Sequence, residues 1–321
     1  MVLVLSDDAL SSLVELETVA DTVADALIEQ AAGRVECPPR PHYDIGTGLD
    51  DPEPLATGLV MPAYVHGSDY FATKLVSVHE ETQPRLPTIN AQLLLNDART
   101  GRPLSVMDAT RITNARTGVI GGLAARALAE PPVTVGVIGA GQQARWQTRS
   151  IDALLGIDSA RIYSPSASKR DCAADLTARG IDAEAAESAE AAVAGADVVV
   201  TATTSETPVV STDAITSGTL VVAVGAYRER MQELEPELFE RAAEVFADVP
   251  EAVAGIGDLL ATDATEADLR PLAAAIDGSA APPADKTVIV ESVGSAVFDA
   301  ATAGDLYERA RDRDLGTEQS L

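Results

Sequence analysis

The chain has 321 residues, 46% of them apolar but only 3% aromatic, and a net charge of −27 from 50 acids against 23 bases. The length suggests two domains, with a core built from Ala, Val, Leu and Ile. A surface this acidic repels phosphate backbones and anionic headgroups, which excludes nucleic acid and membrane as partners.

The acids are spread along the chain, and the lysines are only Lys74, Lys169 and Lys286. That pattern fits either adaptation to a salty cytoplasm, where screening relieves self-repulsion, or an ordinary acidic protein. Cys37 and Cys172 stand far apart and suggest neither a disulfide framework nor a zinc site. His42, His66 and His79 lack metal-ligand spacing. MVLVLSDD has no basic n-region, and no stretch reaches the ~20 apolar residues of a membrane span. A soluble, cytoplasmic protein is expected.

Residues 2–5 read as a short strand. Ser6, Asp7 and Asp8 offer an N-cap for an amphipathic helix to about residue 32, closed by Gly33. Over residues 37–95, Pro and Gly punctuate short apolar runs at 59–61, 70–78 and 89–95, the texture of antiparallel strands. Residues 105–130 carry a helical stripe (Ile112, Ala115, Val119, Leu123, Ala124, Leu128), with Asp108 as the expected cap. Gly118, Gly121 and Gly122 each cost such a helix about 1 kcal/mol relative to alanine, which points to close approach of another backbone or of a cofactor. Pro131 and Pro132 end it.

Residues 133–138 are a β-branched apolar run, the composition of a strand buried on both faces. The run enters Gly139-Ala140-Gly141-Gln142-Gln143-Ala144, and Ala144, Thr148, Ile151, Leu154 and Leu155 follow at helical spacing. Strand, glycine turn and helix together make G-x-G-x-x-A a dinucleotide fingerprint. Gly139 permits the turn, Gly141 leaves room for a pyrophosphate, and Ala144 lets helix pack on strand. The helix N-terminus, with Gln142 and Gln143, faces the phosphates.

The next strand covers 161–163. An NAD site wants an acid at its end for the ribose 2′-hydroxyl. Here Ser164 and Ser166 stand there, with Lys169 and Arg170 just beyond. Hydroxyls and cations suit a 2′-phosphate, so NADP(H) is favoured over NAD(H). The plainer alternative is a helix start with a serine cap and a solvated lysine.

Strands and helices then alternate, the signature of an α/β fold with a parallel sheet. Strands are expected at 196–201, 220–224, 244–248 and 288–290. Helices are expected at 236–243, 249–260 and 295–311, with a Pro/Ala linker at 278–285. Thr203 and Gly225 fall at strand ends that line a nucleotide crevice.

Several stretches together resemble the ornithine cyclodeaminase/μ-crystallin family. They are Lys74-Leu75-Val76-Ser77, LLNDARTGRPLSVMDATRITNARTG, VGVIGAGQQAR, the segment from Val224-Gly225-Ala226 to Gln232-Glu233-Leu234, and SVGSAVFDAATAGDLYERA. The resemblance implies a homodimer. It implies a Rossmann-type NAD(P)-binding domain over 119–294, and a smaller α+β substrate-binding and dimerisation domain over 1–118 with 295–321. It assigns Arg40, Lys74 and Arg116 to an α-imino or α-amino acid substrate, and sets Ser292 and Gly294 beside the nicotinamide. The chemistry agrees: guanidinium groups hold carboxylates in bidentate fashion, and a buried lysine can donate a proton.

The departures from the family are specific. Cyclodeaminases carry an aspartate where this chain has Tyr227, and a glutamate shortly before a Met-Pro pair where it has Leu59 and Val60 ahead of Met61-Pro62. Without those carboxylates a substrate's δ-amine has no partner. The expectation is therefore an NAD(P)H-dependent reductase of a cyclic imino acid of the Δ1-pyrroline-2-carboxylate type, forming L-proline. Ornithine cyclodeaminase, an alanine dehydrogenase-type enzyme and a non-catalytic crystallin-like binder remain the alternatives.

Overall fold

In the computed structural model, which describes residues 1–49, 52–79 and 89–320, the chain forms two sheets of different character. They belong to separate units, residues 1–116 with 296–321, and residues 117–295.

The first unit contains β1 (Val2–Leu5), β2 (Val35–Glu36), β3 (His42–Ile45), β4 (Ala56–Val65), β5 (Tyr70–Val78), β6 (Ile89–Asp97) and β7 (Pro103–Asp108). Strands β4 to β7 pair antiparallel in chain order. β1 joins β7 in parallel, and Thr317–Gln319 pairs with the far side of β1. β2 and β3 both pair with β4. Alternation sets the faces: in β6, Ala91, Leu93 and Leu95 are buried while Asn90, Gln92 and Leu94 are exposed. The helix Ala296–Asp312 packs on β4, β5 and the helix Leu16–Ala31.

Three expected helices are corrected. The helix read over 105–130 is Ala109–Leu128. Residues 105–108 instead finish β7, where Ser105 and Met107 are buried in strand alternation. Asp108 still caps, its Oδ1 accepting N–H groups of Thr110 at 2.9 Å and Arg111 at 3.3 Å. The first helix divides into Asp7–Ser11 and Leu16–Ala31. The stretch 249–260 divides into Pro250–Val253 and Gly257–Leu260.

The second unit contains β8 (Val133–Ile138), β9 (Ile157–Tyr163), β10 (Ala183–Ala185), β11 (Val198–Thr201), β12 (Leu220–Ala223), β13 (Glu244–Ala247), β14 (Arg270–Pro271) and β15 (Val288–Glu291). All pair in parallel, in the order β10-β9-β8-β11-β12-β15-β13-β14. β11, β12 and β15 are buried along their whole length, as strands covered on both faces must be. From β8 the chain runs outward through β9 and β10, then resumes on the other side at β11. That reversal opens a crevice beyond the strand C-termini, where doubly wound folds bind nucleotides.

The three glycines of the Ala109–Leu128 helix serve a backbone. Gly121 N–H donates to Gln147 Oε1 at 2.8 Å, and Gln147 Nε2 donates to the Thr117 carbonyl at 2.7 Å. A Cβ on Gly118 would lie 2.6 Å from Trp146 Cβ. The glycines thus let the fingerprint helix, Gln142–Leu154, approach. Among the described residues no helix is long and apolar enough to cross a membrane, and no group of three or more His, Cys, Asp or Glu is placed to hold a metal.

Candidate active site

Lys74 is the charged member of an apolar strand pairing. On β5 it lies opposite Met61 of β4 and Leu93 of β6, and directly opposed residues share a face of the sheet. Leu59, two residues before Met61, lies on that face too. Such neighbours strip water from the ammonium without replacing its hydrogen bonds. The chain supplies a counter-charge instead. Asp299, on the Ala296–Asp312 helix, sets Oδ2 2.6 Å from Lys74 Nζ and accepts from Arg116 Nε at 2.9 Å through Oδ1. Thr113 Oγ1 accepts from Lys74 at 3.2 Å. Lys74, Arg116 and Asp299 are 3%, 5% and 1% exposed.

Two cations meet one carboxylate, so the cluster has one unmatched positive charge, which is what an incoming carboxylate needs. Burial first, and then Arg116 and Arg40, lower the Lys74 pKa to about 8 against the opposing pull of Asp299. Asp299 responds oppositely: burial pushes its carboxyl up, but Arg116 and Lys74 together hold it below the ordinary range. Arg40 is half-buried, and its charge is felt at Lys74. Lys74 and Arg116, read from sequence as substrate residues, are thus brought onto one carboxylate. Asp299 lies inside the C-terminal segment that carries the family resemblance, and nothing in the sequence alone marks it as part of the site.

In the second unit the fingerprint has the geometry its glycines require. Gly139 has φ +115°, and a Cβ there would lie 2.3 Å from the Ala202 carbonyl oxygen. Gly141 caps the fingerprint helix, and a Cβ on it would meet nothing within 4 Å. That open cradle in front of a helix N-terminus fits a nicotinamide dinucleotide's pyrophosphate. Gln142 and Gln143 form the first helical positions, and Ala144 is fully buried against the sheet. A Gly139→Ala substitution must shift backbone, so we expect it to destabilise the fold by more than about 1 kcal/mol and to abolish NADH binding. Thermal melts and NADH fluorescence titration check this; unchanged binding would remove the cradle assignment.

At the end of β9, Ser164, Ser166 and Ser168 gather their hydroxyls: 3.2 Å between Ser164 and Ser166, 3.1 Å between Ser164 and Ser168, 2.6 Å between Ser166 and Ser168. The run from Ser164 to Arg170 contains no acid. Lys169 donates to the Ala186 carbonyl at 2.8 Å and stacks its ammonium 4.8 Å from the Tyr163 ring centre, while Arg170 is exposed. The helix that follows, Ser168–Thr177, has Ala167 at its N-cap, so neither Ser164 nor Ser166 serves as the cap.

Thr203 and Gly225 are tied to one buried acid, Glu233, that nothing in the sequence alone marks as functional. Glu233 accepts Thr203 N–H at 2.6 Å through Oε1, and Gly225 N–H at 2.7 Å and the Thr201 hydroxyl at 3.0 Å through Oε2. Ser292 and Gly294 are held similarly: Asp248 Oδ2 accepts the Ser292 hydroxyl at 2.7 Å and Gly294 N–H at 2.8 Å.

The sequence pattern of the Ornithine cyclodeaminase/mu-crystallin family matches residues 2–314. The chain belongs to this family. It is 31% identical over 328 residues to alanine dehydrogenase of Archaeoglobus fulgidus, spanning 98% of this chain and 97% of that protein. It is also 31% identical over 327 residues to Delta(1)-pyrroline-2-carboxylate reductase of Bacillus cereus, with 98% of each covered. The structure of the Thermococcus litoralis Delta(1)-pyrroline-2-carboxylate reductase, in complex with NADH and L-proline, superposes with a TM-score of 0.91 at 31% identity, covering 99% of this chain and 100% of that one. Within the family frame, Tyr227 is exposed and stacks under Arg228 at 5.1 Å, and Leu59 lies on the Lys74 face of β4.

Proposed function

We propose that this member of the family is an NAD(P)H-dependent oxidoreductase that reduces the C=N bond of a cyclic imino acid, Δ1-pyrroline-2-carboxylate or a close analogue, to L-proline. The observation that carries the reading is the buried Lys74–Asp299–Arg116 cluster, with one unmatched positive charge and Leu59, Met61 and Leu93 on the same sheet face. It suits a substrate with one carboxylate and an apolar ring. It offers a cationic side chain no acid of its own, since Asp299 is already matched.

Arg116 and Arg40 hold the substrate carboxylate, which fixes the imine carbon in one orientation. Lys74, protonated at neutral pH with its pKa lowered to about 8, gives a proton to the imine nitrogen and so makes the carbon electrophilic. Asp299 keeps the ammonium aimed and favours its reprotonation. The reduced nicotinamide cofactor supplies the hydride. The Gly139–Gly141 cradle with Gln142 and Gln143 holds its pyrophosphate, and Thr203, Gly225, Ser292 and Gly294 line its ribose and nicotinamide. The serine hydroxyls at the end of β9, with Arg170, favour NADPH over NADH, because a 2′-phosphate meets donors where an NAD site places an acid for the ribose 2′-hydroxyl.

The protein acts as a homodimer in a salty cytoplasm. The outward face of the first sheet supports a second copy as the partner: Val4, Val106 and Leu94 form one apolar row across β1, β7 and β6, and Leu75 lies nearby on β5. Val4, Leu75 and Leu94 are all more than a third exposed, at 38%, 39% and 38%. A monomer in sedimentation at molar KCl would remove that part.

The test of function is loss of reduced-nicotinamide absorbance in molar KCl with Δ1-pyrroline-2-carboxylate. We expect turnover with both cofactors, faster with NADPH, and L-proline as product. The likeness to alanine dehydrogenase supports a second reading, so pyruvate with ammonium is run in parallel. Turnover only there would replace the cyclic substrate by an open-chain one. Ammonia from L-ornithine without net cofactor change would overturn both readings.

A further inference from the structure

Four acids are buried around the C-terminal ends of β11, β12, β13 and β15: Glu233, Asp248, Asp258 and Glu291, at 0%, 3%, 0% and 1% exposed. Nothing in the hydride-transfer reading requires carboxylates there, and burying them without a purpose is costly. Asp248 is accounted for by the loop that carries Ser292 and Gly294. Glu233 does something different, because it joins loops from two strands.

Its three donors come from the end of β11, from the loop after β11 and from the second residue after β12. Each is an N–H or O–H pointing at the carboxylate, so the ionised form matches all of them and a protonated carboxyl does not. Gly225 is pressed close: a Cβ there would lie 2.5 Å from Glu233 Oε1 and 2.3 Å from the Thr203 carbonyl oxygen. The acid is itself anchored, since Asp258 Oδ1 accepts the N–H groups of Glu233 and Leu234, both at 2.8 Å. A chain of contacts therefore runs from Asp258 through the backbone at 233–234 to the two loops.

We propose that Glu233 is the positioning residue of the cofactor site, a buried carboxylate that clamps the Thr203 and Gly225 loops together in the spacing the ribose and nicotinamide require. The proposal rests on the nicotinamide-cofactor reading above. Glu233 touches no reacting atom; it acts through the two loops. The clamp is complete only while the acid is ionised.

Two further acids act on it: Asp258, and Glu291, whose carboxyl is raised well above the ordinary range by burial and then by the charges of Asp258, Glu233 and Asp248. Burial pushes the Glu233 pKa up to about 7 against the hydrogen bonds of Thr203 and Gly225. Asp258 is raised to about 6 by burial, against the N–H groups it accepts. As pH falls through these values, Glu233 gains a proton, one loop N–H loses its acceptor, and cofactor affinity falls.

The experiment is an NADH fluorescence titration of the full-length protein across the pH unit on either side of about 7. NADH is the probe because it has no 2′-phosphate to titrate in that interval. We expect wild-type affinity to weaken toward acid. Glu233→Gln keeps the shape but turns an NH₂ toward a donor; it should bind about tenfold more weakly at the alkaline end, the loss of one charge-assisted hydrogen bond, with its pH dependence reduced. Glu233→Asp keeps the charge and should keep the pH dependence.

Wild-type-like affinity and pH dependence in Glu233→Gln, with only a lower melting temperature, would overturn the proposal and leave the acid merely structural. Should that variant fail to fold, the wild-type titration still decides, because an affinity flat across the interval overturns the proposal. No NADH binding by the wild type at any pH would overturn the cofactor reading and this proposal with it.

Discussion

In a Lys74→Met variant, imine reduction slows by about 100- to 10,000-fold, the contribution of a positioned general acid, while NADH titrates as in the wild type. The variant folds, and the reason is charge balance. Removing Lys74 leaves Arg116 on Asp299, a matched pair at 2.9 Å, and methionine has the length to fill the space between Met61 and Leu93. The wild type adds a second readout. A general acid with a pKa of about 8 loses its proton as pH rises through that value, so kcat/KM for reduction falls on the alkaline side. That limb disappears in the residual activity of Lys74→Met. An unchanged rate, or an unchanged alkaline limb, would show that the proton comes from elsewhere and would leave Lys74 as a carboxylate anchor only.

The parts of this site that were legible in the sequence are those whose residue type is informative in this composition. Lys74 stands out because the chain has only two other lysines. Gly139 and Gly141 stand out because a strand precedes them and a helix follows. Acids carry no such signal in a chain with 50 of them. Asp299, Glu233 and Asp248 look like three more solvated carboxylates until the fold buries them. Their partners are also remote: Arg116 is 183 residues from Asp299, and Thr201 is 32 from Glu233. No local periodicity encodes such a pairing.

The same contrast holds for the fold. Strands of the parallel sheet read clearly, because β11, β12 and β15 are apolar without interruption. The end of β7 did not. Its buried Ser105 and Met107 are spaced at two, but the stretch runs directly into a long helical stripe, and the longer period absorbed it. The short strands β2, β10 and β14 and the C-terminal Thr317–Gln319 owe their form to a neighbouring strand or edge, and their own sequence gives little sign of it.

Asp299→Asn gives the largest stability effect, because it reverses the balance that lets Lys74→Met fold. Asparagine keeps the shape but leaves Lys74 and Arg116, 3% and 5% exposed, as two buried cations with no anion between them. Breaking a buried ion pair from one side costs about 3–5 kcal/mol, read as a lower urea midpoint. The pH dependence carries the same signature. Asp299 has a lowered pKa, so its stabilisation is present above the unfolded value of 3.8 and is lost as pH falls through the folded one. Lys74 works the other way: its depressed pKa makes burial costly below about 8, and that cost is relieved as pH rises from there toward 10.5. Without Asp299 nothing opposes the depression, so the Lys74 pKa falls further and the alkaline limb of kcat/KM moves below its wild-type position. The decisive comparison is the double variant. Lys74→Met with Asp299→Asn removes one of the two unmatched cations, so it is more stable than Asp299→Asn alone, although it carries one more substitution. If the two losses simply add, Asp299 is not the counter-ion of Lys74, and the unmatched-charge argument for the substrate carboxylate falls with it.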